Sequence, residues 1–302
     1  MAFIFIAIGT LMWSLDTLIR YPLLASLRPD TMVFIEHAFL TLYFIPLLFI
    51  QKFDFKKIKK QHLFSFFVIG IVGSAASTLA FTKAFSLINP SLVILLQKLQ
   101  PIVVISASAL ILKEKISKSF IQYASFALFG AILISGPDLM SLSSLKISEV
   151  FNLNSSVVAG YFLTMFAVVG WGLSTVFGKK LTSDHWSESE IMAGRFIFGF
   201  AFLTAYCFQF DTLPGAEIHL EIYLKVLAMV FVSGLLGMYF YYRGLKKTSA
   251  HMGSIAELFF PLSAVTINWI FLGKQLTSVQ IVGGVILILS SVMLQRSRSQ
   301  VV

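Results

Sequence analysis

Long apolar stretches follow one another along almost the whole chain, with short polar breaks between them. Each is close to the length of about 20 residues that an α-helix needs to cross the hydrocarbon core of a bilayer. Charged residues make up only 12% of the chain, against about 25% in soluble domains. The sequence therefore predicts an all-α membrane protein with ten transmembrane helices. The predicted helices cover residues 3–24, 32–50, 63–88, 91–112, 119–136, 157–178, 189–210, 222–245, 250–272 and 276–294.

Lysine and arginine are unevenly divided between the two ends of these helices. Of the 23 lysine and arginine residues, fifteen fall in breaks on one face. Six fall on the other face, among them Arg20 and Lys83, and the remaining two, Lys98 and Arg195, lie within helices. Positive charge is retained on the cytoplasmic side of membrane proteins. We therefore predict a multi-pass protein of the cytoplasmic (inner) membrane with both termini in the cytoplasm. The apolar N-terminus lacks the basic region of a removable signal peptide and is interpreted as the first helix.

The two halves of the chain repeat one another. A shift of 158 residues places Trp13 on Trp171 and His37 on Arg195. Each half holds five predicted helices, an odd number, so the halves are expected to be inverted five-helix repeats. Such repeats are typical of secondary transporters, whose substrate lies near the bilayer midplane between the halves. A shift of 160 residues aligns Phe81 with Tyr241, Lys83 with Arg243, Gln97 with Glu257, Pro101 with Pro261, Leu112 with Leu272 and Ile121 with Ile281.

Several features shared by the halves carry a resemblance to a known family. Each half has a tryptophan early in its first helix and a third helix that ends in a basic turn (FTKAFSLINPS and YYRGLKKTSAH). Each also has a proline in its fourth helix and a polar turn (LKEKIS and LGKQLT) before its fifth. The halves resemble two EamA domains of the drug/metabolite transporter superfamily. The resemblance implies a first repeat at 1–136, an extracytoplasmic linker at 137–156, a second repeat at 157–295 and a cytoplasmic tail at 296–302.

The sequence departs from the family pattern at two positions. The arginine that is usual early in the second helix is Arg195 in the second half but His37 in the first. The glutamate that is usual before the fifth helix is Glu114 in the first half but Gln275 in the second. The family includes exporters and importers of amino acids, amines, nucleoside-like metabolites and sugars. The resemblance thus implies a transporter, not an enzyme, and leaves its cargo open.

Ionisable residues inside the predicted helices are candidates for transport, because they are costly at membrane depth and usually face a cavity or a partner. Lys98 and Glu257 are expected at similar depths in the fourth and ninth helices, on either side of the midplane. Either the two side chains hold each other in a buried ion pair, or they hold the cargo. Asp16, His37 and Arg195 are candidate coupling or gating residues.

Two prolines reinforce this site. Each leaves the carbonyl four residues earlier without its N–H partner. That carbonyl belongs to Gln97 in the case of Pro101 and to Glu257 in the case of Pro261. Such groups are tolerated in a membrane only where they face protein or a water-filled cavity. We therefore predict gating prolines and a polar stripe that faces inward on both helices. The stripe consists of Gln97, Gln100, Ser254 and Glu257.

Aromatic residues are predicted to surround the stripe. Aromatic faces beside carboxylates suit a cationic or zwitterionic solute, with Lys98 as the partner of a carboxylate. This favours an amino acid or related amine as cargo, and a nucleotide-like metabolite or a drug-like cation is the alternative. The cavity is expected to be lined mainly by helices 3, 4, 8 and 9, with helices 1, 2, 6 and 7 closing it. The aromatic residues are Trp13, Trp171, Phe81, Phe85, Tyr239, Tyr241 and Tyr242.

Other classes of function find little support. The chain has no GxxxxGK[ST] phosphate loop and no HExxH or serine-elbow motif, and a single cysteine, Cys207, cannot form an internal disulfide. A membrane-embedded enzyme and a non-transporting receptor stay open as alternatives. The expected partners are a small-molecule substrate, membrane lipid and a coupled proton on Asp16, Glu257 or His37. No cofactor, metal, catalytic residue or nucleic acid is expected, and the protein is expected to be a monomer or homodimer.

Overall fold

The computed structural model describes residues 2–24, 26–50, 55–88, 90–135, 155–215, 218–272 and 277–299. Regular secondary structure in these ranges is helical throughout, as predicted. The predicted linker at 137–156 lies almost wholly outside the described residues, and so does the polar turn that contains Gln275.

Each predicted apolar stretch contains a helix. The first half contains α1 (Ala2–Leu23), α2 (Pro29–Ile50), α3 (Lys60–Ala84), α4 in two parts (Pro90–Gln97 and Gln100–Ile111) and α5 (Lys118–Ile134). The second half contains α6 (Ser155–Ser183), α7 (Glu188–Gln209), α8 (Leu220–Lys246), α9 in two parts (Ala250–Glu257 and Phe259–Leu272) and α10 (Ser278–Ser299).

The length and composition of these helices fit a membrane protein. Within the described ranges, seven helices are long and apolar enough to cross a membrane, and three shorter apolar helices accompany them. Large apolar side chains such as Leu42, Leu110 and Phe208 are exposed at the surface, which is the arrangement expected where the neighbour is lipid. The protein is therefore a multi-pass membrane protein, and the number of ten spans stays a prediction.

The fourth helix is interrupted, whereas the sequence predicts one continuous helix over 91–112. The interruption falls at Lys98–Leu99, and α9 is interrupted at the repeat-related position, Leu258. Pro101 lies two residues after Leu99, and Pro261 lies three residues after Leu258. The missing N–H of each proline removes the helical bond to the carbonyl of residue 97 or 257. Tighter bonds replace it at the breaks, from Leu99 N–H to the Leu96 carbonyl at 3.0 Å and from Leu258 N–H to the Ile255 carbonyl at 3.2 Å. Interrupted helices of this kind form substrate sites in transporters.

The third helix of each half contains a wide turn that the sequence analysis does not predict. The residues Val68–Ala76 of α3 and Val230–Gly237 of α8 are π-helical, at positions that a shift of about 160 residues relates. π-Helical turns are rare and often occur at functional sites. Here they lie where α3 and α8 contact the opposite half of the molecule.

The halves pack through equivalent helices. Helix α1 lies against α8 as α6 lies against α3, while α2 packs on α7 and α5 on α10. Small residues allow this close approach: a methyl group on Gly73 would lie 2.3 Å from the Cβ atom of Ser174, and one on Gly130 would lie 2.7 Å from the carbonyl oxygen of Gly283. Equivalent contacts on both sides of the interface are what a pseudo-twofold axis between two repeats requires.

Candidate substrate site

A cavity of about 730 Å³ lies between the two halves. It extends to Leu24, Phe85 and Ser135, each of which directly follows the last residue of α1, α3 or α5. The residues predicted to bind substrate all line this cavity, and their role in binding stays a prediction. They are Lys98, Glu257, Gln97, Gln100, Trp13, Trp171, Phe81, Tyr241 and Ser254.

The first helix of each half also lines the cavity, in addition to helices 3, 4, 8 and 9, which were predicted to be its main lining. Trp13 and Asp16 come from α1, and Trp171 and Thr175 come from α6. The physical reason is the close packing of α1 on α8 and of α6 on α3, which places both first helices at the interface between the halves. Helix α2 supplies none of the described lining residues.

Glu257 is one of the two carboxylates among the described residues of the cavity wall. It ends the first part of α9, and its Oε2 accepts a hydrogen bond from Gln100 Nε2 at 2.7 Å. Its Oε1 accepts from the hydroxyls of Tyr241 at 2.9 Å and Thr175 at 3.2 Å. The donors are neutral and come from both halves, so the carboxylate is oriented without needing a cation in contact with it.

Lys98 lies in the interruption of α4 and is only 5% exposed. Its Nζ is 5.9 Å from the ring centre of Phe260. Phe260 lies two residues after Leu258, where α9 is interrupted. Together with the Gln100–Glu257 bond, this contact brings the two interruptions to one side of the cavity. Lys98 and Glu257 thus line one shared space.

Two aromatic pairs join the halves. The ring centroids of Trp13 and Tyr241 are 5.3 Å apart, and those of Phe81 and Trp171 are 4.8 Å apart. The repeat relates one pair to the other, since Trp13 corresponds to Trp171 and Tyr241 to Phe81. Tyr241 and Thr175, one helical turn after Trp171, both donate to Glu257. One pair is therefore hydrogen-bonded to Glu257 through Tyr241, and the other lies one helical turn from the donor Thr175.

A buried ionic cluster beside α1 is absent from the sequence prediction. Arg20 Nε lies 2.5 Å from Asp16 Oδ2, and its Nη1 lies 2.8 Å from Glu36 Oε1. Ser233, from α8, donates to Asp16 Oδ1 at 2.7 Å. The placement of Arg20 in a polar break was wrong, because two buried carboxylates hold it inside α1. The i, i+4 spacing of Asp16 and Arg20 is the sequence signal that could have found this pair.

The repeat-related residues Arg195 and His37 have different surroundings. Arg195 lines the cavity, and its Nη1 donates to the hydroxyls of Ser174 at 2.9 Å and Tyr242 at 3.1 Å. His37 is outside the described lining, and its Nε2 lies 3.0 Å from Ser74 Oγ between α2 and α3. Of these two predicted gating residues, Arg195 therefore lines the cavity, whereas His37 packs between helices. Sequence reasoning missed Ser174, although the repeat relates it to Asp16.

Both predicted gating prolines line the cavity, whereas the aromatic residues Phe85, Tyr239 and Tyr242 do not all do so. Pro101 and Pro261 both line the cavity, and so does Phe85. Tyr242 is fully buried behind Arg195, and Tyr239 accepts a short hydrogen bond from Arg243. These two tyrosines are outside the described lining of the cavity.

The charges around the cavity nearly cancel. The described lining residues include three Lys or Arg and two Asp or Glu side chains, and Glu36 adds a third carboxylate behind Arg20. Such a site suits a solute with no large net charge, bound by hydrogen bonds and ring contacts. Among the described residues, no group of three His, Cys, Asp or Glu side chains is placed to hold a metal ion. The ionisable lining groups are Asp16, Arg20, Lys98, Arg195 and Glu257.

Comparison with known proteins agrees with this architecture. The sequence model of the EamA-like transporter family matches residues 1–136 and 158–296. The chain is 28% identical to the "Riboflavin transporter ImpX" of Fusobacterium nucleatum, over 96% of each chain. It is 26% identical to the "Uncharacterized transporter YoaV" of Bacillus subtilis, over 80% of this chain and 78% of that protein. A solved crystal structure shares the fold with a TM-score of 0.74 at 15% identity, covering 96% of this chain and 95% of the other.

Proposed function

The chain belongs to the EamA-like transporter family, and we propose that it carries a flat, polar-edged aromatic metabolite of the riboflavin class across the membrane. As a family member it is a membrane transporter of small metabolites and not an enzyme. Transport in this proposal is secondary or facilitative and proceeds by alternating access, with the cavity between the repeats as the substrate site.

The observation that carries this proposal is the pair of cross-repeat aromatic contacts at Trp13 and Trp171. Planar rings stack on tryptophan in offset or tilted arrangements, and two such surfaces in one cavity suit a broad fused ring system. The hydrogen-bonding groups around Glu257 suit the polar edge of such a ring. A polyol side chain would find acceptors and donors at Asp16 and Ser233, which also line the cavity.

The size of the cavity supports the same solute. Pockets of about 300–1,000 Å³ enclose drug-sized ligands, and the volume here, about 730 Å³, is in that range. The nearly balanced charge of its lining suits an uncharged solute. One relative that aligns over nearly its whole length carries the printed name of a riboflavin transporter, which supports the same cargo class.

An amino acid or related amine is the second candidate. The observation in its favour is that Lys98 and Glu257, of opposite charge, both line the cavity, where they would face the two ends of a zwitterion. A nucleotide-like metabolite or a drug-like cation remains a further alternative. A coupled proton on Asp16, Glu257 or His37, and assembly as a monomer or homodimer, also stay predictions.

We propose that the protein lies in the cytoplasmic membrane with both termini in the cytoplasm. The support is the excess of lysine and arginine on one face of the helices. On this orientation the cavity extends toward the extracytoplasmic face, where α1, α3 and α5 end.

Uptake by purified protein in liposomes tests the proposed cargo. We expect saturable riboflavin uptake above that of protein-free vesicles, unaffected by an excess of mixed amino acids. Riboflavin uptake equal to that of protein-free vesicles would contradict the proposal. Uptake of labelled amino acids by the same vesicles would then establish the second candidate.

A further inference from the structure

An apolar cluster closes the end of the cavity opposite Leu24, Phe85 and Ser135. It joins α4, α6 and α9, and its members are all buried. We call the membrane face next to it the basic face, because Lys57, Lys115, Lys180 and Lys246 lie there. A solute that passes from the cavity to the basic face between α4, α6 and α9 would have to part this cluster. The cluster consists of Val104, Ala107, Val176 and Ala250.

Glu114 ties together the two helices that border this cluster. It follows the end of α4, and its carboxylate accepts hydrogen bonds from the backbone N–H groups of Ala250 at 2.8 Å and His251 at 3.3 Å. These are the first residues of α9, whose free N–H groups and helix dipole favour a negative charge. His251 Nδ1 also lies 2.5 Å from Glu114 Oε2. One side chain thus holds the end of α4 against the start of α9.

The backbone around Glu114 is shaped to make this contact. Lys113 has a φ of 55°, a left-handed conformation that a residue other than glycine keeps only where its surroundings determine it. The N–H of Glu114 donates to the Ser108 carbonyl at 3.2 Å. Burial raises the pKa of Glu114, but its hydrogen bonds with His251 and with the amides at the start of α9 outweigh burial and lower the pKa overall.

The repeat-related start of α4 lacks the main donor of this contact. The shift of 160 residues places Ala250 on Pro90 and His251 on Ser91. Proline has no N–H to donate. The bond from Ala250 N–H to Glu114 therefore has no counterpart at Pro90, and the two faces differ at this position.

We propose that Glu114 is the gate residue of the basic face: by holding the start of α9 it keeps the apolar cluster closed and favours the state that is open to the opposite face. The inference rests on the proposed alternating-access transport. It makes Glu114 a positioning residue, which acts through the separation of α4 and α9 and does not touch the cargo.

The test is the accessibility of a reporter cysteine in the full-length protein. Ala107→Cys, in a Cys207→Ser background, places a thiol in the apolar cluster, and a membrane-impermeant maleimide is added from either face of oriented vesicles. Losing the charge-assisted bonds of Glu114 in Glu114→Gln should raise labelling from the basic face by about tenfold. The matched control is Glu188→Gln, on the same face, whose carboxylate lies 3.9 Å from Lys246 and should leave labelling unchanged.

A second variant keeps the result decisive if Glu114→Gln does not fold. His251→Asn removes the side-chain contact but leaves the two backbone bonds, so we expect a smaller increase in the same direction. The proposal is overturned if the variant that folds labels from the basic face no faster than Glu188→Gln. It is also overturned if labelling increases equally from both faces.

Riboflavin binding by the same variants separates this proposal from that of the cargo. If the gate account holds, Glu114→Gln still binds riboflavin, because the residue lies outside the cavity lining. Absence of riboflavin binding by the unmodified protein would overturn the cargo proposal, while the labelling result would still decide the gate.

Discussion

Trp13 contacts Tyr241 across the interface between the two halves, and Trp171 contacts Phe81 in the repeat-related place. The main chain repeats in the same way, since α4 and α9 are both interrupted ahead of a proline and α3 and α8 both contain a π-helical turn. Each half therefore contributes the same shape to the cavity.

The polar groups at related positions differ between the halves. Glu257 corresponds to Gln97, and Asp16 corresponds to Ser174. The second half supplies a carboxylate held by neutral donors, whereas the first half supplies Arg20 between two carboxylates. A solute without twofold symmetry needs unlike groups around it, and a duplicated scaffold with diverged charges provides them.

The largest effect is expected from breaking the ionic cluster of the first half. Arg20→Gln would leave Asp16 and Glu36 buried without their cation, which typically costs about 3–5 kcal/mol of stability. Thermal unfolding of the purified protein should show a large decrease in Tm. Arg28→Gln is the matched control, because the side chain of Arg28 is 67% exposed in its pair with Asp30, and its Tm should be unchanged. Equal shifts in the two variants would argue against a buried cluster.

The carboxylate of the second half gives the next largest effect. Glu257→Gln makes the position like Gln97 and weakens hydrogen bonds that are worth about 1.5–3 kcal/mol when one partner is charged. Riboflavin affinity should therefore decrease by about tenfold to a hundredfold, as measured by calorimetry.

A charge exchange sharpens the same comparison. Combining Glu257→Gln with Gln97→Glu moves the carboxylate to the first half, away from Thr175 and Tyr241. We expect no recovery of affinity, because these donors do not move with it. Full recovery would show that the halves are interchangeable, against the asymmetry described above.

Close helix packing gives an intermediate effect that also differs between the halves. The methyl group of Gly73→Ala would lie 2.3 Å from Ser174 Cβ, and overpacking of this kind costs about 1–3 kcal/mol. A methyl group at Gly237 would meet the side chain of Trp13 at 2.9 Å, so Gly237→Ala should lower Tm less. Gly215→Ala, with no atom within 4 Å of the new methyl group, is the control. A larger decrease in Tm for Gly215→Ala than for Gly73→Ala would contradict this packing.

The smallest effects should be equal in the two halves. Trp13→Phe and Trp171→Phe each weaken one aromatic pair, worth about 0.5–1.5 kcal/mol, so the KM for riboflavin uptake should rise several-fold in each. Trp269→Phe is the control, since Trp269 is 51% exposed at the surface. A change in only one of the two pairs would show that the cargo contacts one half alone.

Much of the fold follows from sequence, because hydrophobic length and repetition are local signals. The aligned tryptophans and prolines locate the cavity, and Gln97, Gln100, Ser254 and Glu257 all line it as predicted. The π-helical turns have no such signal, since they depend on how closely α3 and α8 approach the other half. The prediction of a continuous fourth helix was wrong. Pro101 leaves the Gln97 carbonyl without its helical N–H partner, and the helix is interrupted directly after that residue.

The contacts that charged side chains make inside the membrane were the hardest property to predict. Arg20 is near the end of an apolar stretch, where a basic side chain usually reaches the headgroups. Its position is decided instead by Glu36, which comes from another helix. The predicted roles of Lys98 and Glu257 depend in the same way on contacts between helices, which spacing along the chain does not specify.

Flavin fluorescence tests the central claim most directly, namely that one tryptophan from each repeat contacts the cargo in the cavity. Riboflavin emission should be quenched saturably when the purified protein is titrated in, and each of Trp13→Phe and Trp171→Phe should restore part of it. Trp186→Phe, which alters a buried tryptophan away from the cavity lining, should leave the quenching unchanged. Quenching that persists undiminished in the Trp13→Phe/Trp171→Phe double variant, or that never saturates, would contradict the account.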